Sequence, residues 1–314
     1  MSMKAFIFGM ILMALGSGVP GQSRRIAVTI DDLPVVSTKS DIESRRKITR
    51  DLLSHVRKAR VPAVGFVNEG KLYSDGTRDE KQIDLLRMWL DAGMELGNHT
   101  YSHLSLHDNE LAKFEEEIVK GEIITKELLT PKGRSIKYFR HPYLATGLSL
   151  EIKRDLAAFL KEHGYTIAPV TVDNADWIFA RAYDFAFDKN DAAMMKRIGD
   201  AYVPYLDSKL EYFEKQALKA VGRDIPQILL IHANRINSVY FGKLAKAMKK
   251  RGYRFITLEE ALRDEAYKLP DNFIKRSGIS WLHRWALDRG SDNVVPNEPR
   301  VPEFVMKYSG FSSE

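Results

Sequence analysis

The chain has no cysteine among its 314 residues. That excludes disulfides, thiolate metal sites, a cysteine nucleophile and a cysteine-borne lipid anchor. Charge of one sign is not massed either: 48 Lys and Arg stand against 42 Asp and Glu, a formal net charge of +6. Basic residues are spread along the chain, so nucleic-acid binding gets no support, although a mildly basic surface suits an anionic polymer such as cell wall. Beyond the N-terminus no apolar run is long enough for a membrane span, so stable membrane insertion is not expected. Internal repeats and low-complexity linkers are also missing.

What is present describes an ordinary folded protein, 44% hydrophobic and 29% charged, long enough to bury a full-sized core. Lys4, the apolar run 5–15 and the small residues Gly16, Ser17 and Gly18 form a positive n-region, a short h-region and a cleavage zone. Residues 1–23 are therefore expected to be a signal peptide, and the mature protein to be exported, periplasmic or secreted.

Short apolar segments then alternate with amphipathic ones. Strands are expected over 26–30, 61–67, 94–97, 136–139, 165–170, 227–231 and 253–256. Helices are expected over 40–59, 79–92, 108–129, 148–163, 190–221, 240–250 and 258–264. Pro34 should end the first strand, and Asp108 or Asn109 should cap the helix over 108–129. Such alternation means right-handed βαβ units and a parallel sheet, here closed or nearly closed into a barrel. Chemistry then collects at the C-terminal ends of the strands. Residues 24–265 read as this catalytic unit. Residues 266–314 change character, with Trp281, His283 and Trp285 followed by Pro296, Pro299 and Pro302. They read as a C-terminal extension packing on the barrel, with His283 against one of the tryptophans.

Polar clusters follow the strands. His99 and His103 stand at i and i+4, a spacing that turns both rings to one side of a helical turn. Neutral imidazole is the commonest ligand for zinc-like metals. Asp31 and Asp32 close the first strand, where one carboxylate can ligate a metal while the other stays free as a base. Their mutual repulsion is a cost that a nearby cation relieves. One carboxylate with His99 and His103 gives a three-ligand set that leaves a position for water. His232, ending the strand over 227–231, is placed to protonate a leaving group, with Asp173 or Asp176 to set its tautomer and charge. Trp177 offers an apolar wall for a methyl group or a face for a sugar ring. Arg140 can orient the free carboxylate through a bidentate pair, and His141 beside it lines the cleft. His107 reads as a turn residue, and His55 and His163 as solvated.

Five stretches in this order carry a resemblance: Thr29-Ile30-Asp31-Asp32, His99-Thr100-Tyr101-Ser102-His103, Arg140-His141-Pro142-Tyr143, Asp173-Asn174-Ala175-Asp176-Trp177 and Leu230-Ile231-His232. Over about residues 26–262 the sequence resembles the polysaccharide deacetylases of carbohydrate esterase family 4, the NodB-homology group. The resemblance implies an α/β fold, the irregular (β/α)7 barrel of the NodB type. It implies Asp31 as general base, with Asp32, His99 and His103 holding a divalent metal, usually zinc, with cobalt or nickel as alternatives. Arg140 would position Asp31, Tyr143 would offer its backbone N–H to the oxyanion, and Trp177 would line the acetyl pocket. His232 would be the general acid, tuned by Asp176 or Asp173.

The chain departs from the family pattern in places: Leu33 stands where glycine is usual, Arg140-His141-Pro142-Tyr143-Leu144 replaces the commoner Arg-Pro-Pro-Tyr-Gly, and Ala233-Asn234 follow His232 where aspartate is commoner. None removes a catalytic group, so they bear on substrate more than on reaction. The activity implied is metal-dependent removal of acetyl from N-acetylated sugars of a cell-wall or chitin-like carbohydrate. The rival readings are a same-fold hydrolase of a non-sugar amide and a non-catalytic cell-wall binding protein. The presence of both Asp31 and His232 argues against the second.

Overall fold

β1 (Arg24–Val36) runs through the middle of the molecule, and its alternation sorts what surrounds it. Ile26, Val28 and Ile30 join the large apolar cluster shared with the outer helices. Ala27 turns the other way, into a smaller cluster with Val64, Phe66, Tyr138, Ala168 and Ile228 that fills the interior of the sheet. Thr29 and Asp31 follow Ala27 on that inward side. Residues 24–39, 41–291 and 297–314 of the computed structural model are described here. The expected signal peptide and Pro296 lie outside the described residues.

β2 (Val64–Val67) is followed by a separate hairpin of β3 (Tyr73–Ser74) and β4 (Thr77–Arg78). Next come β5 (Glu95–Asn98), β6 (Tyr138–Phe139), β7 (Thr166–Ile167), β8 (Gln227–Asn234) and β9 (Tyr253–Phe255). The main sheet has 7 strands in the order β7-β6-β5-β2-β1-β8, with β9 joined to β1. Its pairings are all parallel. Past β7 the chain bridges to β8 at Val172 and Leu229, so the two ends of the sheet meet. The molecule is thus the α/β barrel that the alternation led us to expect, curled and irregular. Gly97 is required by the tight curl, because a Cβ there would lie 2.6 Å from the Phe66 ring.

The helices are α1 (Ile42–Ala59), α2 (Glu80–Asp91), α3 (Leu111–Lys120), α4 (Ile123–Leu129), α5 (Leu150–Glu162) and α6 (Asp176–Asp188). α7 (Ala192–Val221), α8 (Arg235–Lys250), α9 (Leu258–Leu262), α10 (Trp281–Asp288) and α11 (Glu303–Ser309) complete the series. α10 packs on α7, and α11 on α6, so the C-terminal extension is seated against the barrel's own helices.

Several local expectations are corrected. β1 does not stop before Pro34. The Leu33–Pro34 peptide is cis, and the pairing of β1 with both neighbours shifts register there, so the missing N–H of Pro34 interrupts no regular ladder. The expected helix over 108–129 is two helices. Gly121 separates them, where a Cβ would lie 2.6 Å from the carbonyl carbon of Thr100. Its cap is Glu110, which makes no side-chain cap bond, whereas Asp108 pairs with Arg276. β7 is only Thr166–Ile167, since Pro169 has no N–H for a ladder beyond it. α6 was not expected, and α8 starts at Arg235 because the Asn234 side chain caps it. The ring contacts of His283 among the described residues are with Tyr212 and Phe213, where a tryptophan was expected.

Candidate active site

The polar groups gather where β1, β5, β6 and β8 end, all at one mouth of the barrel. Asp31 and Asp32 lie in β1 where its pairing shifts register, with Asp32 at φ 68°. His99 directly follows β5. The segment 99–103 is not a helical turn: Thr100 at φ 66° and His103 at φ 59° fold it back. The two rings still meet, edge to face with centroids 4.9 Å apart. The same-side expectation for this pair therefore holds, by a different backbone route.

His99 Nδ1 lies 2.7 Å from the Arg140 carbonyl and donates its proton there. That fixes the tautomer and leaves a lone pair on Nε2. Nε2 lies 3.8 Å from Asp32 Oδ1, and His103 Nε2 lies 3.5 Å from the same oxygen. All three ligand atoms fall within 4.8 Å of one another. A tetrahedral ion with bonds of about 2.0–2.1 Å needs its ligand atoms roughly 3.3 Å apart, so small side-chain adjustments close the set. Asp32 Oδ1 is buried with no hydrogen-bond partner. A buried carboxylate oxygen without a donor, facing two nitrogen lone pairs, fits a cation and little else.

The electrostatics agree. Burial opposes charge on Asp32, but Lys71, His103, His232 and His99 outweigh it and hold the carboxyl below the usual carboxylate range. Burial, then His103, pushes His99 well below the ordinary imidazole value, and burial lowers His103. One ionised carboxylate and two neutral imidazoles are the protonation states a zinc-like ion requires.

Asp31 lies beside this cluster, its Oδ2 3.7 Å from His99 Nε2 and 3.7 Å from Arg140 Nη1. The bidentate Arg140–carboxylate pair is therefore not formed. Arg140 is fully buried; Nη2 donates to Thr29 Oγ1 at 2.9 Å, and Nε and Nη1 have no partner. Burial raises Asp31 to about 6, with Arg140 and His232 pulling the other way. A carboxylate tuned there is ionised near neutral pH yet basic enough to take a proton.

His232 stands at the end of β8. Of the two candidate partners it is Asp176, not Asp173, that holds it, with His232 Nδ1 2.7 Å from Asp176 Oδ1. Burial disfavours the imidazolium, but Asp176 overrides it and raises His232 to about 10. Asp173 lines the cavity, and burial raises its carboxyl above the usual range.

A cavity of about 560 Å³ joins these groups. Asp31, Asp32, His99, His103, His232 and Asp173 line it, together with His141, Tyr143 and Trp177. His141 is buried and pushed down to about 3 by that burial. The exposed Tyr143 ring rests against His103, and Trp177 is backed by Phe311 from the extension. Arg140 and Asp176 sit behind the lining, beside Asp31 and His232 respectively.

The sequence reading missed several contributors. Lys71 Nζ donates to the Asp32 carbonyl at 3.0 Å and lies 3.7 Å from Asp32 Oδ1, yet nothing in its loop sequence marks it. Asn234 and Asn237 both donate to Asp176 Oδ2, at 2.9 and 2.7 Å. A polar pair just after His232 was the available signal. Phe311 and Gly278 reach the cavity from the extension, far away in sequence.

Comparison with known proteins finds the family described as "Polysaccharide deacetylase" matching residues 18–168. A peptidoglycan-N-acetylglucosamine deacetylase from Bacillus cereus is 28% identical over 158 residues, covering 50% of this chain and 48% of the relative. The chain thus spans about half the length of that relative. Among solved structures, the Bc1960 peptidoglycan N-acetylglucosamine deacetylase, complexed with 4-naphthalen-1-yl-N-oxidanyl-benzamide, aligns with a TM-score of 0.51 at 21% identity. The alignment covers 77% of this chain and 89% of that one. BA3943, a family 4 pseudoenzyme from Bacillus anthracis, aligns with a TM-score of 0.50 at 16% identity over 77% of this chain and 66% of the other. Both likenesses concern the fold.

Proposed function

We propose that the protein hydrolyses the acetamide of N-acetylated sugars, releasing acetate, a reading supported by the match of residues 18–168 to the family described as polysaccharide deacetylase. The observation that carries this is the meeting of Asp31, the Asp32–His99–His103 cluster and His232 on one cavity. A divalent ion held by Asp32, His99 and His103, with zinc the simplest choice and cobalt or nickel acceptable to the same donors, would polarise the acetyl carbonyl and acidify the attacking water.

The chain's own groups do the rest. Asp31 takes a proton from the attacking water, whose oxygen bonds to the acetyl carbon. The Tyr143 backbone N–H faces the oxygen that gains charge. His232, charged through Asp176, gives its proton to the sugar nitrogen as the C–N bond breaks. Acetate and a free amine leave; Asp31 then gives up the proton it took and His232 takes one back, which restores the starting state. Trp177 and Phe311 form the apolar wall for methyl or sugar ring.

The substrate we infer is a cell-wall or chitin-like carbohydrate, reached by an exported protein. Among the described residues no helix is long and apolar enough to cross a membrane. Acetate release from chitooligosaccharides and peptidoglycan fragments, with and without added zinc, tests the proposal. Zinc-dependent release supports it. Tight carbohydrate binding without release would replace it with a wall-binding role, and release from small non-sugar amides alone would move the substrate class.

A further inference from the structure

The 3-10 turn Pro142–Leu144 holds two consecutive non-glycine residues in the left-handed region, Tyr143 at φ 56° and Leu144 at φ 53°. Residues with a Cβ adopt that backbone at a cost and keep it only where their surroundings hold it. Inside the loop, the Leu144 N–H donates to the His141 carbonyl at 3.1 Å, and the Ala145 N–H to Pro142 at 2.9 Å. The carbonyls of Tyr143 and Leu144 are met by the C-terminal extension.

Arg284 on α10 is fully buried, and all three of its nitrogens are engaged. Nη2 donates to the Leu144 carbonyl at 2.7 Å. Nη1 donates to Thr146 Oγ1 and to Asp271 Oδ2, each at 2.8 Å, and Nε donates to the Ile279 carbonyl at 3.0 Å. Lys153 tightens the same knot through Asp271 at 2.7 Å and Thr146 at 3.0 Å. Gly278 lies flat against the Tyr143 carbonyl, where a Cβ would come within 1.9 Å of the oxygen. Burying a guanidinium is expensive, and this one spends its donors on the strained loop and the segment beside it.

We propose that Arg284 is a positioning residue for the oxyanion donor: through Leu144, and with Gly278 as the close-fitting wall, it fixes where the Tyr143 N–H points. The C-terminal extension is then part of the catalytic apparatus and not a surface wrap. The proposal rests on the deacetylase reading.

The test uses the full chain with zinc and compares wild type with Arg284→Met, Arg284→Lys and Gly278→Ala. Acetate release gives kcat and KM, a chelator competition gives zinc affinity, and hydrogen exchange reports amides 143–147. A misaimed donor should lower kcat roughly 10- to 100-fold, with KM and zinc affinity held within about twofold and faster loop exchange. Lysine keeps the charge but not the fork, so it should not rescue. Leu144→Gly, which accepts left-handed backbone without steric cost, should restore part of the loss in the Arg284→Lys background. Gly278→Ala leaves the charges alone and carries the test if Arg284→Met fails to fold. Unchanged kcat in the folded variants overturns the proposal, as does loss of zinc affinity in step with kcat. If wild type releases no acetate the deacetylase reading fails, and unchanged loop exchange in the variants then overturns the clamp by itself.

Discussion

Asp32 and Asp176 serve the same cavity under opposite conditions. Asp176 is saturated: it accepts from the His232 N–H, His232 Nδ1, Asn234 Nδ2 and Asn237 Nδ2 at 2.7–2.9 Å. Asp32 Oδ1, and Asp31 Oδ1 beside it, are buried without a donor, and Arg140 leaves Nε and Nη1 unpaired nearby. One half of the site satisfies its polar groups within the protein; the other does not. Buried polar groups are ordinarily satisfied. Under the proposed function, the contrast separates a self-contained proton donor from a receptor for a cation and a water.

The sharpest break in that comparison is Asp31→Asn. On the unsatisfied side it removes the base without removing a ligand, so activity should fall on the order of 10³-fold while zinc content, read by elemental analysis, stays. His99→Ala or His103→Ala should lose the zinc as well, which tells base from ligand.

Asp176→Asn strikes the saturated half. Activity should fall roughly 10- to 100-fold, with zinc retained. Because Asp176 holds His232 up at about 10, its loss lowers His232, and the alkaline limb of the kcat profile should move to lower pH. An unmoved limb would detach His232 from the proton-donor role.

Stability distinguishes the halves with smaller effects. Zinc at a hundredfold excess over its dissociation constant should stabilise wild type by about 2.7 kcal/mol, seen as a raised Tm. Asp32→Asn should abolish that shift and Asp176→Asn should preserve it. A separate stability effect lies outside both. His283 is buried and held at about 4, chiefly by burial, against about 6.5 for an unfolded imidazole. The unfolded chain binds the extra proton between those values, so stability should decline as pH drops from about 6.5 toward 4, on the order of 3 kcal/mol in all. Denaturant titrations of His283→Gln should show a flatter acid limb.

The parts of this site that sequence disclosed are those with a local cause. Apolar runs bounded by polar residues marked β1 and β8, and the strand-end rule then singled out Asp31, Asp32 and His232. His99 and His103 were visible from spacing, but for a helical reason that the left-handed Thr100 and His103 replace. Lys71 was invisible because its partner, the Asp32 carbonyl, is distant in sequence and its own turn carries no pattern. α6 was hidden because its aromatic-rich sequence, buried on several sides, lacks a polar face with helical period. Arg284 was hidden for the same reason as Lys71: a buried cation is defined by acceptors that only the fold assembles.

Thr29 shows how little material such assembly takes. Its hydroxyl donates to the Leu229 carbonyl at 2.8 Å and receives Arg140 Nη2 at 2.9 Å. The peptide spine of β8 thereby sets the bearing of a guanidinium rooted beyond β6, through a single oxygen atom. Valine has nearly the same outline but no such atom, so the interior of the barrel would look intact while Arg140 lost its compass. Position 29 therefore calls for a hydroxyl side chain, by wiring and not by volume.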